Sequence, residues 1–445
     1  MKGALSIAIG CLVLLTNVGS ARSAEHATKL DAWTYRGVSV SDFDPALKHY
    51  FWETARPPNG PFDRIALHRF VREANNSAAV PGRPSPDSRK VLFIIPGTWD
   101  RGFTRDSNPN VSENWYFAAQ GYDVYAIEFR TGYVANLAAD QFAQAGLAGA
   151  LAATADWTYG VFREDIKACV SLAKDIARTD KLFLAGRSRG GTQMYIYAAR
   201  YWQQDLKGLI SLDGGGAYAT VDPARQVPEA LFDGNVAAFK AGGPYLSEVS
   251  SFEQGRLAGA VPFSTRDVGQ PLPKVADLPP AKPIPSYAPA EKAVLDTVSD
   301  YAAYGSFYAW GAGKVTNYYT PYPGGNGETY MNREVLVGIL SNFTRYWPRI
   351  QDLEGAAMAN YGTHHPYLDY VDTGAVDIPL LVFGSEFGCP NGVCRTPLAN
   401  QVTRIASKDI TTVFLAGYGH LDVYAGTHSI EQVKQPMLEW MNARK

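Results

Sequence analysis

The chain has 445 residues, a length that allows one large domain or two to three smaller ones. Hydrophobic residues make up 46% and charged residues 19%, which excludes a disordered or collagen-like chain and provides for a buried core. Because 41 basic and 43 acidic residues leave a net charge of −2, no basic excess favours a nucleic-acid partner.

The N-terminus has the composition of a targeting segment. Lys2 precedes an apolar run from Ala4 to Val18, and small residues follow up to Ala24. This pattern predicts a secretory signal peptide over residues 1–24, with cleavage after Ala21 or Ala24. The apolar run is short for a transmembrane helix, so we expect no stable membrane insertion after its removal. The protein is therefore expected in the periplasm or outside the cell.

Strands and helices are predicted to alternate over much of the chain. Residues 25–60 are expected to be irregular, with a short apolar segment around 47–52. Strands are predicted at 64–71, 91–95, 123–129, 181–185, 206–212, 378–383 and 411–415, and helices at 112–120, 162–177, 190–202 and 428–442. The alternation indicates an α/β fold with a mostly parallel sheet flanked by helices.

Residues 217–375 interrupt this alternation. They include a proline-rich stretch at 261–291, expected to be extended and on a surface, and many tyrosines between 301 and 370. The simplest organisation is a core of residues 25–216 and 376–445 with an inserted cap at 217–375. The aromatic residues of the cap fit a substrate pocket and simple packing equally well.

A candidate nucleophile lies at Gly186-Arg187-Ser188-Arg189-Gly190, which fits the pattern G-x-S-x-G. A serine on a tight strand-to-helix turn exposes its hydroxyl, and flanking glycines avoid steric clashes in such a turn. The five residues alone are weak evidence, but a predicted strand precedes them and a predicted helix follows. The alternative is a glycine-rich turn without catalysis.

A serine hydroxyl needs a base that removes its proton. His420 follows the last predicted strand in a glycine-containing loop and is the preferred base, whereas His428 begins the final helix and favours packing or capping. Glu386 is the preferred acid, because an acid and a histidine on consecutive strand ends follow the usual chain order. Asp213 follows the strand after the nucleophile helix and stays the rival acid.

The oxyanion formed in acyl transfer needs two N–H donors. The backbone of Arg189 is the first candidate, and the second is Thr98, in the turn after the strand at 91–95, with Trp99 as its alternative. The turn at Thr98 can also be an ordinary turn. The side chains of Arg187 and Arg189 are assigned no substrate role, because ion pairing is their more common use.

Cysteine spacing is compatible with one disulfide. Cys389 and Cys394 lie in a short loop, where an exported protein can form a disulfide, and two free thiols are the alternative. Cys169 lies in a helical pattern and is expected in the core. The spacing of cysteine and histidine residues indicates no metal site, and the predicted chemistry requires no cofactor.

With these motifs the chain resembles the α/β-hydrolase superfamily, and its serine esterases and lipases in particular. The matching segments are Val91–Thr98, Gly121–Phe129, Gly186–Gly190, Leu380–Glu386 and Gly419–Asp422. The resemblance implies hydrolysis of carboxylic esters through an acyl-enzyme, often with a cap at the position of residues 217–375. The sequence departs from the usual pattern where Pro96-Gly97 replaces His-Gly, and where Glu386 lies two residues after Gly384 instead of three.

The expected function is therefore an exported serine hydrolase that acts on a small-molecule or polymer ester through Ser188, His420 and Glu386. The same residues would serve an amidase, a peptidase or a hydrolase of carbon–carbon bonds. A binding module without catalysis is the alternative from another class, and the complete set of serine, acid and histidine argues against it.

Overall fold

A computed structural model of the chain describes residues 32–73, 90–98, 100–103, 107–134, 154, 156–214, 347–348, 350–351, 354–355, 373–385, 405–416, 418 and 420–444. In these ranges nine strands form one sheet, in the order β1-β2-β3-β5-β4-β6-β7-β8-β9. The strands are β1 Thr34–Val40, β2 Leu47–Ala55, β3 Arg64–Arg72, β4 Lys90–Ile95, β5 Tyr122–Glu128, β6 Leu182–Arg187, β7 Leu206–Leu212, β8 Leu380–Ser385 and β9 Ile410–Leu415.

The sheet has an antiparallel part and a parallel part. Strands β1, β2, β3 and β5 pair antiparallel to one another, and β5, β4, β6, β7, β8 and β9 pair in parallel. The described helices are α1 Glu113–Ala119, α2 Thr131–Val134, α3 Tyr159–Ala177, α4 Arg189–Asp205, α5 Asp422–Ala425 and α6 Gln435–Asn442, with a π-helical turn at Ile430–Lys434 before α6.

The parallel part is built from strands that are buried on both faces. Every residue of β5, β6 and β8 is buried, as is all of β4 except Lys90. Continuous apolar strands of this kind need helices on both sides of the sheet. The predicted fold class, a mostly parallel sheet flanked by helices, is confirmed, and the predicted strands from residue 64 onward match β3 to β9 within a few residues.

The antiparallel part contains the main error of the sequence analysis. Residues 25–60 were expected to be irregular, yet β1 and β2 lie in this range. β1 is exposed along almost its whole length and has no buried face, and β2 carries His49 and Glu53 among its apolar residues. Both strands are held by pairing with their neighbours, so hydrophobic periodicity gives little signal for them. The four-residue helices α2 and α5 were also missed, since they are too short to show a helical period.

Buried ion pairs join the two parts of the sheet. The Arg69 guanidinium of β3 donates hydrogen bonds of 2.7 and 2.8 Å to the two carboxylate oxygens of Asp123 in β5. Arg130, two residues after the end of β5, contacts both Asp63 and Asp165. Charged groups removed from water need such partners, and the bidentate geometry fixes the register of the elements that carry them.

A few residues of the predicted cap are described, and they pack on the core. Trp347 is buried against Phe129 and Phe162, and Glu354 accepts a hydrogen bond of 2.7 Å from the backbone N–H of Tyr159, at the start of α3. The rest of residues 217–372 and the predicted signal peptide lie outside the described residues. Among the helices that the structure describes, none has the length and apolarity needed to cross a membrane.

Candidate active site

Ser188 occupies a strained turn between β6 and α4. Its backbone angles are φ 52° and ψ −123°, in a region that residues other than glycine rarely adopt. The turn is so tight that a methyl group on Gly186 would lie 2.3 Å from the carbonyl oxygen of Gly190, and one on Gly190 would lie 2.4 Å from that of Ile95. The strand, turn and helix that the G-x-S-x-G pattern requires are therefore all present.

The turn after β4 lies beside the Ser188 side chain. A methyl group on Gly97 would be 2.9 Å from Cβ of Ser188 and 3.6 Å from its Oγ. Thr98, the next residue, is half-buried, as is Ser188 itself. The Pro96–Thr98 turn and the first residue of α4, Arg189, thus flank the serine, which is the placement required of two oxyanion donors.

His420 is oriented by Asp213. Nδ1 of the buried imidazole lies 2.6 Å from Oδ2 of Asp213, which follows β7. Asp213 has φ 45°, a left-handed conformation that aspartate tolerates better than most residues. Its carboxylate also accepts hydrogen bonds from the backbone N–H (2.9 Å) and the hydroxyl (2.7 Å) of Ser385, at the end of β8. Two adjacent strand ends therefore hold the carboxylate in place.

Of the two candidate acids, the structure brings Asp213 to the histidine. Glu386 lies outside the described residues, directly after Ser385, the residue that binds Asp213. In the sequence, each of the two acids follows a predicted strand, Asp213 the strand after the nucleophile helix and Glu386 the next-to-last one. A three-dimensional contact was needed to distinguish them.

Tyr424 connects the histidine to the backbone beside the serine. Its hydroxyl lies 3.2 Å from the carbonyl oxygen of Leu212 and 3.4 Å from Nε2 of His420. The same carbonyl accepts a hydrogen bond of 3.1 Å from the backbone N–H of Ser188. The Leu212 carbonyl is thus bonded both to the backbone of Ser188 and to the Tyr424 hydroxyl, which lies beside Nε2 of His420. Tyr424 was not predicted from the sequence, where its one signal is its position four residues after the histidine.

Arg187, the residue before the serine, is buried and ion-paired. Its guanidinium lies 3.0 Å from the carboxylate of Asp100 and 3.5 Å from that of Glu113. Burial by itself lowers the pKa of Arg187, but the two carboxylates raise it above the usual value. Burial raises the pKa of Glu113. The ion pair between Arg187 and Asp100 joins the strand of the nucleophile to the turn at residues 96–100.

The other residues singled out in the sequence are Arg189 and the cysteines. The Arg189 guanidinium lies 5.5 Å from the centre of the Trp347 ring, within range of a cation–π contact. Cys169 is a buried free thiol, as expected of a core residue. Cys389 and Cys394 lie outside the described residues, so their disulfide stays a prediction. In the part of the chain that the structure describes, no cluster of three or more histidine, cysteine or acidic side chains could hold a metal ion.

Comparison with solved structures identifies the fold. A candidate lipase from Sulfolobus solfataricus superposes with a TM-score of 0.60 at 23% identity, over 93% of this chain and 99% of the other. A carboxylesterase from Bacillus subtilis gives 0.39 at 13% identity, over 95% and 98% of the two chains. No family model and no curated protein matches the sequence. The chain has the α/β-hydrolase fold, with a serine elbow and a carboxylate–histidine pair at the carboxyl edge of its parallel sheet.

Proposed function

We propose that this protein is a serine hydrolase that cleaves carboxylic esters through an acyl-enzyme. Ser188 is the nucleophile, His420 the general base and Asp213 the acid. The observation that carries the proposal is the hydrogen bond between Asp213 and Nδ1 of His420, in the same site as a serine held in the strained elbow conformation. Asp213 takes the role for which the sequence favoured Glu386.

The proposed mechanism follows from the placement of each group. A proton on Nδ1, donated to Asp213, leaves the lone pair of Nε2 available to accept the proton of the Ser188 hydroxyl. The serine oxygen attacks the ester carbonyl, and the imidazolium then protonates the departing alcohol. Water, deprotonated by the same imidazole, releases the acid and regenerates Ser188. The Asp213 carboxylate stabilises the positive imidazole in both steps and is not itself protonated.

The developing oxyanion is assigned to the backbone N–H groups of Arg189 and Thr98. Arg189 is the first residue of α4, where N–H groups without intrahelical partners point out of the helix and its dipole favours negative charge. The contact between Gly97 and the serine supports Thr98 as the second donor. Preorganised donors of this kind typically account for about 100- to 1,000-fold in kcat.

Ester hydrolysis is preferred to other reactions of the same residues because the Sulfolobus protein with this fold is named as a candidate lipase. Amide and carbon–carbon bonds stay alternatives, since the same three residues could cleave them.

Export is part of the proposal and rests on the signal-peptide pattern at residues 1–24. Expression of the full chain followed by N-terminal sequencing of the periplasmic fraction tests it, and an unprocessed cytoplasmic chain would contradict it.

Two measurements test the activity. A fluorophosphonate probe is expected to label the wild-type protein and not the Ser188→Ala variant. A panel of p-nitrophenyl esters and the matching anilides is then expected to show hydrolysis of the esters, with the anilides much slower. Labelling that survives in Ser188→Ala, or wild-type protein that neither reacts with the probe nor hydrolyses any ester, would refute the proposal. Faster cleavage of the anilides would identify an amidase.

A further inference from the structure

A cavity lies away from the serine, between the antiparallel part of the sheet and helices α1 and α2. Its volume is about 590 Å³, within the range of small-molecule sites, roughly 300–1,000 Å³. Neither the elbow nor His420 nor Asp213 lines it. The lining residues that matter for its chemistry are His49, Phe51, His68, Phe103, Trp115 and Glu128.

Three buried polar atoms in the lining have unused hydrogen-bonding capacity: Nε1 of Trp115, Nε2 of His68 and Oε1 of Glu128, and the last two carry the argument. His68 bonds His49 through Nδ1, at 2.8 Å from Nε2 of that ring, and Nδ1 of His49 lies 3.2 Å from the Ser39 hydroxyl. The chain of hydrogen bonds ends at Nε2 of His68, which has no partner in the described structure. Oε2 of Glu128 accepts the N–H of Gly102 at 3.0 Å, but its Oε1 has no hydrogen bond. Buried groups left in this state are costly, and ligand sites are one place where they occur.

The carboxyl group of Glu128 is held against the cavity by close packing. A methyl group on Gly132 would lie 1.8 Å from its Oε1, so only glycine leaves room for the carboxyl group. The Arg101 guanidinium is the nearest cation, and at 3.8 Å from Oε1 it is too far for a hydrogen bond. Oε1 is therefore fixed in position near a cation but without a hydrogen bond.

The charges in the buried part of the cavity are paired, and the further acid of the lining, Asp42, is exposed to solvent and accepts a hydrogen bond of 3.3 Å from the Ser107 hydroxyl. Arg36 pairs with Glu53 at 2.5 Å, Arg101 faces Glu128, and burial lowers the pKa of His49 to about 3, which keeps its ring neutral. A charged ligand would have to lose its hydration without gaining an unpaired counter-charge. An uncharged ligand avoids this cost.

The walls of the cavity are aromatic. Phe103 lies 4.9 Å from the His68 ring and 5.8 Å from the His49 ring, measured between ring centres, and Phe51 stacks at 5.7 Å from His68. Trp115 closes the cavity from α1. Because these rings contact one another, a ligand would lie against the aromatic surface that they form together, where a planar ring makes the most contact.

We propose that this cavity binds an uncharged aromatic molecule with a hydroxyl or amide group, which bonds Nε2 of His68 and Oε1 of Glu128. An amide satisfies both atoms at once, because it offers a donor and an acceptor. This site is separate from the proposed catalytic residues, and its ligand need not be a substrate.

Isothermal titration calorimetry with benzamide and benzyl alcohol as probes tests the site, with benzoate and benzylamine as charged comparisons. We expect the neutral probes to bind more tightly than either charged probe. His68→Phe and Glu128→Leu should each weaken benzamide binding about tenfold, the effect of one buried hydrogen bond. Glu128→Gln, which keeps a donor and an acceptor, should bind nearly as wild type.

Ser188→Ala serves as the matched control, because it alters the other site and should leave benzamide binding unchanged. Loss of binding in Ser188→Ala, or binding unaffected by both His68→Phe and Glu128→Leu, would place the probe elsewhere and overturn the proposal. Absence of binding by both neutral probes, or tighter binding of benzoate or benzylamine, would also overturn it. Because none of these outcomes depends on ester hydrolysis, the test is independent of the proposed activity.

Discussion

Two regions of one sheet hold buried histidines, and they differ in how the polar atoms are satisfied. At the carboxyl edge of β7, Nδ1 of His420 is held by Asp213, whose carboxylate is in turn held by Ser385. In the antiparallel part, His49 and His68 bond each other, and the chain of hydrogen bonds ends at an unused atom. The first arrangement orients the His420 ring and requires the Asp213 carboxylate to be buried beside it. The second leaves hydrogen-bonding capacity inside the protein.

The largest expected effect distinguishes the two candidate acids. Asp213→Asn should lower kcat for an ester by about 10⁴-fold, because the histidine loses the carboxylate that selects its tautomer and stabilises its positive charge. Glu386→Gln is the matched control and should stay close to wild type. The measurement is kcat with a p-nitrophenyl ester. The reverse ranking would restore Glu386 as the acid and leave Asp213 with a structural role.

The second prediction concerns stability at the elbow. Arg187→Met leaves the buried carboxyl group of Glu113 and the partly buried carboxylate of Asp100 without the guanidinium that they share, and should lower the free energy of unfolding by about 3–5 kcal/mol. Urea unfolding at pH 7 measures it. Arg187→Lys keeps the charge and should recover part of the loss. If Arg187→Met unfolds like wild type, the ion pair to Asp100 does not stabilise the turn.

The third prediction uses Glu128 in the antiparallel part. Burial raises its pKa from 4.5 to about 7, so the folded protein binds a proton more tightly than the unfolded chain. Its contribution to stability is therefore fully present below pH 4.5 and is lost as the pH rises towards 7 and above. Glu128→Gln removes this loss and should be more stable than wild type at pH 8 by about 3 kcal/mol, with little difference at pH 4.

Urea unfolding of both proteins across this pH range measures the difference for Glu128. The charged groups that face this carboxyl are Arg101, Asp100 and Glu53, and the N–H of Gly102 also donates to it. Arg101→Gln is a useful companion variant, because loss of the cation should raise the pKa of Glu128 further. A stability difference between Glu128→Gln and wild type that does not change with pH would show that the carboxyl group is not buried as described.

The smallest effect is expected at Tyr424. Tyr424→Phe removes the hydroxyl that lies between the Leu212 carbonyl and Nε2 of His420, and keeps the ring beside the imidazole. One hydrogen bond of ordinary strength is lost, so kcat should fall about three- to tenfold with KM little changed. Steady-state kinetics with one ester suffices. A rise in KM without a change in kcat would assign Tyr424 to substrate binding.

The contrast between the regions also explains what the sequence could predict. The parallel strands are continuous apolar runs, and a strained serine turn needs glycines at fixed positions, so β4 to β9 and Ser188 could be recognised from residue types. β1 and β2 depend on strand pairing and carry polar residues on a face that borders a cavity, which removes the periodic signal. The sequence could not decide between the two candidate acids, because that choice also depends on contacts between distant residues. Asp213 and Glu386 are both acids that follow a predicted strand, and the support for Asp213 comes from its contacts with His420 and Ser385, which the sequence does not reveal.

The backbone of Ser188 has one more consequence. A side chain at φ 52° and ψ −123° costs roughly 1–3 kcal/mol, and the surrounding core must supply this energy. Selection for thermostability alone would favour glycine at this position and would remove the hydroxyl. At the elbow, thermal stability and reactivity therefore oppose each other. Substitutions meant to stabilise this protein should leave residues 186–190 unchanged and be placed on the exposed edge strand β1.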